Sequence, residues 1–352
     1  VPAADYSQEL IDSAKEFSDE AVIVIGRVGG EGADLPKNMK GEGITYNNNS
    51  TEYEDFEDGE SFLELSKTEE DMIDLVTSNF DKVTLIYNGA NIFELGFVEN
   101  YPQIKSVLWC PPAGQTGFSA LGDILAGTTN PSGKTSDTFV YDLTQQPSYN
   151  NAGDFKYENM TEFPTENFEE AETSPAFVNY VESIYVGYKY YETAADEGAI
   201  DYDATVQYPF GYGLSYATFD VHDATVAKTG PRTAEVTVTV TNTSDVAGAE
   251  TVQVYVAPPK VKVARPVHEL KGFAKVALEP GESKNVTIAL DDRAFAYWSE
   301  RFDDWHVEGG TYTVEVGVSS RDIISRIDVE IDDDGKIMNL DEWSTFGEWL
   351  DD

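Results

Sequence analysis

The amino-acid sequence predicts two domains of different fold class. Residues 1–218 are predicted to form an α/β domain with a mostly parallel sheet flanked by helices, and residues 219–332 an antiparallel β-sandwich. The first prediction rests on residues 22–25, an unbroken β-branched run typical of a strand buried on both faces of a parallel sheet. The second rests on residues 234–241, where apolar and polar residues alternate strictly. Residues 333–352 are interpreted as a linker with a short amphipathic piece.

Helical and strand patterns alternate along the first domain, as a parallel α/β layer structure requires. Residues 34–66 form a long polar connection, and connections of that length are usually functional or mobile. Residues 128–193 are irregular, acidic and rich in tyrosine, and we interpret the tyrosines as packing residues, with sugar stacking as the alternative. Helices are expected over 6–17, 92–98 and 117–125, and a further helix is expected to begin with the capping-box pattern at 68–71. Strands are expected over 82–87 and 106–109, and a further strand is expected to begin at residue 21.

Short alternating strands separated by turn residues follow in the second domain. This sequence pattern is typical of an antiparallel sandwich. The expected strands cover 234–241, 251–256, 283–290 and 310–318, with turns at 242–245, 279–281 and 308–310.

Composition excludes several functional classes. The 352-residue chain has 65 acidic and 23 basic residues, a formal charge of −42, and no basic stripe, which argues against nucleic acid and anionic membrane surfaces as partners. A single cysteine, Cys110, leaves no internal disulfide and no thiolate zinc site. No run of about 18 apolar residues and no signal-peptide pattern is present in this sequence.

Carboxylate chemistry is what remains for the α/β domain. All three histidines (His222, His268 and His306) fall in or beside the sandwich, so a Ser-His-Asp arrangement cannot be built in the first domain. No phosphate-binding or dinucleotide motif is present, and we expect no cofactor. Glu31 stands in the glycine-rich stretch 26–34 directly after the first strand, where open α/β sheets place ligands. An ordinary turn with a solvated glutamate is the alternative.

A weaker pattern suggests calcium after the last strand. Asp332, Asp334 and Asp341, together with Glu330, Gly335 and Ile337, follow the spacing of a calcium-binding hand. The first and last positions carry the wrong acidic residues, and no strong helical pattern flanks the stretch. We therefore favour a polar turn over a metal site.

Several motifs together are recognisable. In the sandwich they occur at 248–255, 265–266, 269–273 and 278–283. In the first domain they occur at 29–34 (Gly-Gly-Glu-Gly-Ala-Asp), 114–127, 130–134, 184–191 and 208–216 (Tyr-Pro-Phe-Gly-Tyr-Gly-Leu-Ser-Tyr). On these motifs, which cover nearly the whole chain in family order, the sequence resembles glycoside hydrolase family 3, specifically its α/β-sandwich domain followed by its fibronectin type III-like domain.

The resemblance implies a retaining exo-acting β-glucosidase or β-glucan glucohydrolase, whose mechanism needs a nucleophile and a general acid/base. Glu31 matches the family's acid/base glutamate, and Asp34 a following acidic position that we expect to contact substrate. Leu35 replaces a basic residue that many relatives carry, so substrate contacts here are expected to differ. The family nucleophile lies in a (β/α)8 barrel within a Ser-Asp-Trp type motif. The only Asp-Trp here, Asp304-Trp305, lies in the sandwich, where family members carry a packing tryptophan.

We therefore expect this chain alone to be inactive. The barrel, and the first strands of the α/β domain, would come from a longer precursor or from a companion chain. Residues 341–350 resemble the lead-in to a barrel in family members with reversed domain order. The expected partners are β-linked glucosides or glucan oligosaccharides and the barrel, with a homodimer possible; the expected location is extracellular or at the cell surface, with the cytoplasm as the alternative. A non-catalytic carbohydrate-binding or assembly module and a β-xylosidase are the competing functions.

Overall fold

The computed structural model describes residues 2–27, 29, 35–41, 55–151, 155, 177–260 and 263–336. It contains two compact units. Unit 1 comprises Val1–Thr129, Asp137–Gly187 and Ile200–Tyr208, and unit 2 comprises Asn130–Ser136, Tyr188–Ala199 and Pro209–Asp352. The boundary after residue 218 stays a prediction. None of the described helices combines the length and apolar character needed to cross a bilayer.

Unit 1 contains the expected parallel sheet. Strands β1, β2 and β3 pair in that order, both pairs parallel, and β4 pairs with β5 in a separate antiparallel ladder. The predicted α/β class is confirmed. The elements of this unit are α1 (Gln8–Phe17), β1 (Glu20–Arg27), α2 (Lys67–Thr77), β2 (Lys82–Gly89), β3 (Ile104–Trp109), α3 (Phe118–Leu125), β4 (Phe139–Val140), α5 (Tyr202–Thr205) and β5 (Val206–Tyr208).

Strand β1 is buried on one face and not, as predicted, on both. Ile23 and Ile25 are buried, but Val22 and Val24 are 53% and 58% exposed. Among the described residues, nothing covers this second face, since α1 buries none of its own residues. Full burial is instead found in the middle of β2, where Leu85, Ile86 and Tyr87 follow one another.

Two local features lie at other residues than predicted. The capping box of α2 is formed by Ser66 and Glu69, because the Ser66 hydroxyl accepts from the Glu69 amide while the Glu69 carboxylate accepts from the Ser66 amide. The expected pair at Thr68 and Asp71 lies two residues further on. The helix expected over 92–98 is a 3-10 turn at Gly96–Asn100.

Unit 2 is the expected antiparallel sandwich. One sheet has the order β10-β7-β6 and the other β14-β13-β8-β9, with every neighbouring pair antiparallel. Alternate valines of both sheets, including Val236, Val238, Val252 and Val254, fill the core. The elements are α4 (Tyr188–Asp196), β6 (Phe219–Gly230), β7 (Thr233–Asn242), β8 (Gly248–Ala257), β9 (Glu269–Leu278), β10 (Ser283–Leu290), β11 (Tyr297–Ser299), β12 (Asp304–His306), β13 (Gly310–Gly317) and β14 (Ile323–Ile331).

Tyr188 on α4 is a packing residue, as was predicted for the tyrosines of this region. Its ring stacks on Phe210 at a centroid distance of 4.6 Å and meets Tyr255 edge-on at 6.0 Å. Its hydroxyl accepts a hydrogen bond from the Leu270 amide at 2.7 Å. The side chain is therefore used in packing α4 against strands of the sandwich.

Candidate active site

The sequence-predicted site residues Glu31 and Asp34 lie outside the described residues. Their flanks, however, are described on both sides: β1 ends at Arg27, and the chain is described again over residues 35–41. The structure therefore shows how these two flanks are held.

The incoming flank is fixed by Arg27, which is 6% exposed. Its two terminal nitrogens, Nη1 and Nη2, each lie 2.6 Å from a different carboxylate oxygen of Glu69. Two parallel charge-assisted hydrogen bonds of this kind are among the strongest polar contacts in proteins. Since Glu69 also closes the capping box of α2, the end of β1 is tied to the first turn of that helix.

Arg27 also holds the segment before α2. Its Nε donates to the carbonyl of Phe62 and its Nη2 to the carbonyl of Glu64, the latter at 2.7 Å. The guanidinium lies over the rings of Phe93 and Phe62, at 4.8 and 5.3 Å from their centroids. The buried charge is thus surrounded by acceptors and by aromatic faces.

The outgoing flank is attached to the same segment. The Phe62 amide donates to the Pro36 carbonyl at 3.0 Å, and the Met39 amide donates to the Glu60 carbonyl at 2.7 Å. The Met39 side chain is buried with Phe56 and Phe62. Residues 60–64 therefore hold both flanks of the stretch that contains Glu31.

The carboxyl ends of β1 and β2 lie side by side, with Arg27 opposite Gly89. A Cβ at Gly89 would lie 2.3 Å from the Tyr87 hydroxyl, so this position requires glycine. Burial raises the pKa of Tyr87 to about 12, although nearby Arg27 opposes the shift, and the phenol is neutral at physiological pH. The chain after Gly89 thus starts beside the end of β1.

A cavity of about 340 Å³ lies at this edge of the sheet. Its polar lining residues are Asn91, Asp137 and Gln146, and its apolar ones include Leu63, Ile92 and Leu143. Asn91 belongs to the chain directly after β2, which is where open α/β sheets bind ligands.

Glu94 joins two walls of this cavity. Its amide donates to the Leu63 carbonyl at 3.1 Å, and its carboxylate accepts from the Leu143 amide at 2.7 Å. Burial raises the pKa of Glu94 to about 7; the Leu143 amide opposes the rise, and nearby Glu64 and Asp142 add to it. This connection between walls therefore titrates near neutral pH.

The calcium candidates have separate protein partners. Asp332 pairs with Lys228 at 2.7 Å, whereas Asp334 accepts from His306 Nδ1 at 3.0 Å and from the Val307 and Lys336 amides. Asp341 lies outside the described residues. His306, Asp333 and Asp334 do have ligand atoms within 4.8 Å of one another, but Asp333 and Asp334 already accept protein hydrogen bonds. Calcium binding stays the untested alternative to the favoured polar turn.

Asp304 and Trp305 have structural partners in the sandwich. Trp305 packs against the sandwich core, and the Arg293 guanidinium lies 3.5 Å from its ring centroid. Asp304 pairs with Lys336 at 2.8 Å. The packing interpretation of this Asp-Trp pair is confirmed.

Three residues of the site region were not identified from the sequence: Arg27, Glu69 and Glu94. Arg27 ends a strand whose residues 21–25 are all apolar, and Glu69 stands three residues after a serine, so each carried a local signal. Their partnership spans 42 residues and becomes visible only in the fold.

Comparison with family models gives two matches. A model described as the glycosyl hydrolase family 3 C-terminal domain matches residues 4–216, and a fibronectin type III-like domain model matches residues 250–320. Together they cover the α/β part and most of the sandwich.

Two curated relatives are named for different glycosidase activities. An exo-α-(1→6)-L-arabinopyranosidase of Bifidobacterium longum is 48% identical over 78% of this chain and 32% of its own length. Thermostable β-glucosidase B of Acetivibrio thermocellus is 34% identical over 94% of this chain and 38% of its own length. The chain thus spans about a third of the length of the curated relatives it matches.

Solved structures agree with the fold. A GH3 β-glucosidase of Bifidobacterium adolescentis matches with a TM-score of 0.67 and 46% identity, covering 82% of this chain and 39% of that one. β-Glucosidase 3B of Thermotoga neapolitana, in complex with glucose, matches with a TM-score of 0.73 and 32% identity, covering 95% and 40%.

Proposed function

Because the chain belongs to glycosyl hydrolase family 3, we propose that it is the acid/base-bearing part of a retaining exo-glycosidase that removes terminal β-D-glucosyl residues. Glu31 is the general acid/base and Asp34 a substrate contact. The nucleophile comes from a (β/α)8 barrel outside this chain. The observation that carries the proposal is the attachment of both flanks of Glu31's stretch to residues 60–64.

The reaction explains why such attachment matters. A retaining glycosidase needs a carboxyl group that first protonates the leaving oxygen and later activates water, at about 5–5.5 Å from the nucleophile. A displacement of about 1 Å can cost about 10²-fold in rate. Arg27, held by Glu69 and two backbone carbonyls, fixes the chain four residues before Glu31.

The sugar that is removed is a separate question. The β-glucosidases among the relatives support glucose, whereas the 48% identity with an arabinopyranosidase supports the acid/base part of an exo-α-L-arabinopyranosidase as the second candidate. Both activities would use Glu31 in the same role. A β-xylosidase and a non-catalytic carbohydrate-binding module are the remaining alternatives.

The test compares leaving groups in the full-length protein that contains this chain. Glu31→Gln is expected to lower kcat/KM for a disaccharide by about 10²–10⁴-fold, because a poor leaving group needs the acid. The loss for the 2,4-dinitrophenyl glycoside of the same sugar should be much smaller in the glycosylation step. Glu16→Gln, an exposed glutamate of α1, is the matched control.

A second variant gives an independent readout. With Glu31→Gly, azide should restore turnover and yield a glycosyl azide of retained configuration. Disaccharide hydrolysis that survives Glu31→Gln would overturn the acid/base assignment. Parallel assays on aryl β-D-glucosides, β-D-xylosides and α-L-arabinopyranosides identify the sugar, and no hydrolysis of any of them would favour the binding module.

A further inference from the structure

We propose that the cavity lined by Leu63, Asn91, Asp137, Leu143 and Gln146 binds the saccharide on the leaving-group side of the scissile bond. The inference rests on the proposed function, since it takes Glu31 as the acid that protonates the leaving oxygen.

The first argument is position. Asn91 belongs to the chain that leaves the carboxyl end of β2, and Arg27 lies opposite Gly89 at the same sheet edge. Glu31 is four residues beyond Arg27, so chain geometry keeps it within about 13–14 Å of that anchor. The chain that leads to Glu31 therefore leaves the sheet at the edge where the lining residue Asn91 follows β2.

The second argument is physical continuity between the anchor and one wall. Arg27 binds the carbonyls of Phe62 and Glu64, the two neighbours of the wall residue Leu63. The Leu63 carbonyl in turn accepts from the Glu94 amide, and the Glu94 carboxylate accepts from the amide of Leu143, another lining residue. One chain of polar contacts thus fixes both the incoming flank and the cavity.

The third argument concerns the outgoing flank. The Lys37 ammonium lies 4.6 Å from the ring centroid of Tyr149, and the Tyr149 amide donates to the carbonyl of the lining residue Gln146. Both flanks of the stretch with Glu31 therefore contact segments that line the cavity.

The chemistry of the lining fits a neutral sugar. Carboxamides of Asn91 and Gln146 can each donate and accept, and the Asp137 carboxylate can accept from hydroxyl groups. Leucine and isoleucine side chains between them suit the apolar C–H faces of a pyranose ring. No lining residue is cationic, which argues against phosphorylated or acidic ligands. A volume of about 340 Å³ is within the range of small-molecule sites.

The test uses the full-length protein and two substrates with the same transferred sugar. One is a disaccharide; the other is the glycosyl fluoride, whose leaving group is too small to occupy the cavity. Gln146→Ala should lower kcat/KM for the disaccharide about five- to tenfold, the loss expected for one hydrogen bond, and leave the fluoride unchanged. Gln145→Ala, its exposed neighbour, is the matched control and should change neither.

The unchanged fluoride rate also shows that Gln146→Ala is folded. Asn91→Ala is a second variant with the same expected pattern. Equal loss on both substrates, or no loss on the disaccharide, would overturn the proposal. Glu31→Gln distinguishes failure of the proposed function from failure of the cavity proposal. If Glu31→Gln leaves disaccharide hydrolysis intact, the proposed function is wrong whatever the cavity variants do. If Glu31→Gln has a large effect and Gln146→Ala has none, only the cavity proposal is wrong.

Discussion

Arg27 and Glu69 form a two-armed ion pair, with both nitrogen–oxygen distances at 2.6 Å, between the last residue of β1 and the first turn of α2. Glu69 also caps its own helix through the Ser66 amide. One carboxylate therefore serves local helix formation and a contact 42 residues away in sequence. Through this double use Glu69 joins the end of β1 to the first turn of α2.

Replacing Glu69 should be far more destabilising than replacing its neighbour. Glu69→Ala leaves the buried Arg27 without its counter-ion and removes the capping box, for an expected loss of roughly 3–5 kcal/mol in the unfolding free energy of unit 1. Glu70→Ala, which breaks an exposed pair with Lys67, should cost less than about 1 kcal/mol. Urea unfolding of both variants measures the difference, and similar losses would contradict the structural role of the Arg27 pair.

Arg27→Lys tests whether this anchor positions the catalytic stretch. A lysine keeps the charge but cannot bind both Glu69 oxygens and two carbonyls at once. In the full-length protein we expect kcat to fall about 10–100-fold on a disaccharide while KM changes little, because positioning rather than ground-state binding is lost. Arg301→Lys, at an exposed position, is the control. A rise in KM at constant kcat would instead indicate a binding role.

Local patterns in the sequence predicted the fold class, because strand period and turn residues are local properties. The strict alternation over 234–241 corresponds to β7, whose Val236, Val238 and Val240 are buried. The exposed face of β1 could not be predicted in this way, since the same run of valine and isoleucine at 22–25 suits a strand buried on one face or on both. The capping box was misplaced by two residues because Ser66-x-x-Glu69 and Thr68-x-x-Asp71 have similar patterns.

The candidate site was predictable only in part. The resemblance of residues 29–34 pointed to Glu31, which has yet to be tested. The connections around it depend on tertiary contacts: Glu94 reaches Leu143 across 49 residues, and burial in the folded domain raises its pKa although that hydrogen bond opposes the rise. No local window of sequence contains both partners.

Glu94 predicts a pH dependence of stability. Its pKa is raised from 4.5 to about 7 in the folded state, so between these values the folded protein holds a proton that the unfolded chain releases. The contribution of Glu94 to stability is therefore fully present below about pH 4.5 and is lost as pH rises through 7. In Glu94→Gln the side-chain amide oxygen can still accept from the Leu143 amide, but the side chain does not titrate. The loss of stability with rising pH should therefore disappear in this variant.

Thermal unfolding midpoints of wild type and Glu94→Gln, measured from pH 5 to 8, check this prediction. The unfolding midpoint of Glu94→Gln should rise relative to that of wild type as pH rises, with most of the change below pH 8. Glu16→Gln, at an exposed site, should follow the wild-type curve. A constant difference between Glu94→Gln and wild type across this range would show that Glu94 does not titrate there.

Asp334 distinguishes a polar turn from a calcium site. Burial raises its pKa, but hydrogen bonds from the Lys336 and Val307 amides and from His306 outweigh this effect and hold the pKa below its usual value. Its stabilising contribution is therefore present at neutral pH and lost as pH falls through the lowered pKa. Because these donors already satisfy the carboxylate, added calcium should leave the unfolding midpoint of the sandwich unchanged at pH 7. Asp334→Asn should lower that midpoint by several degrees, whereas the exposed Asp220→Asn should not. A calcium-dependent rise in the midpoint that Asp334→Asn abolishes would establish the metal site instead.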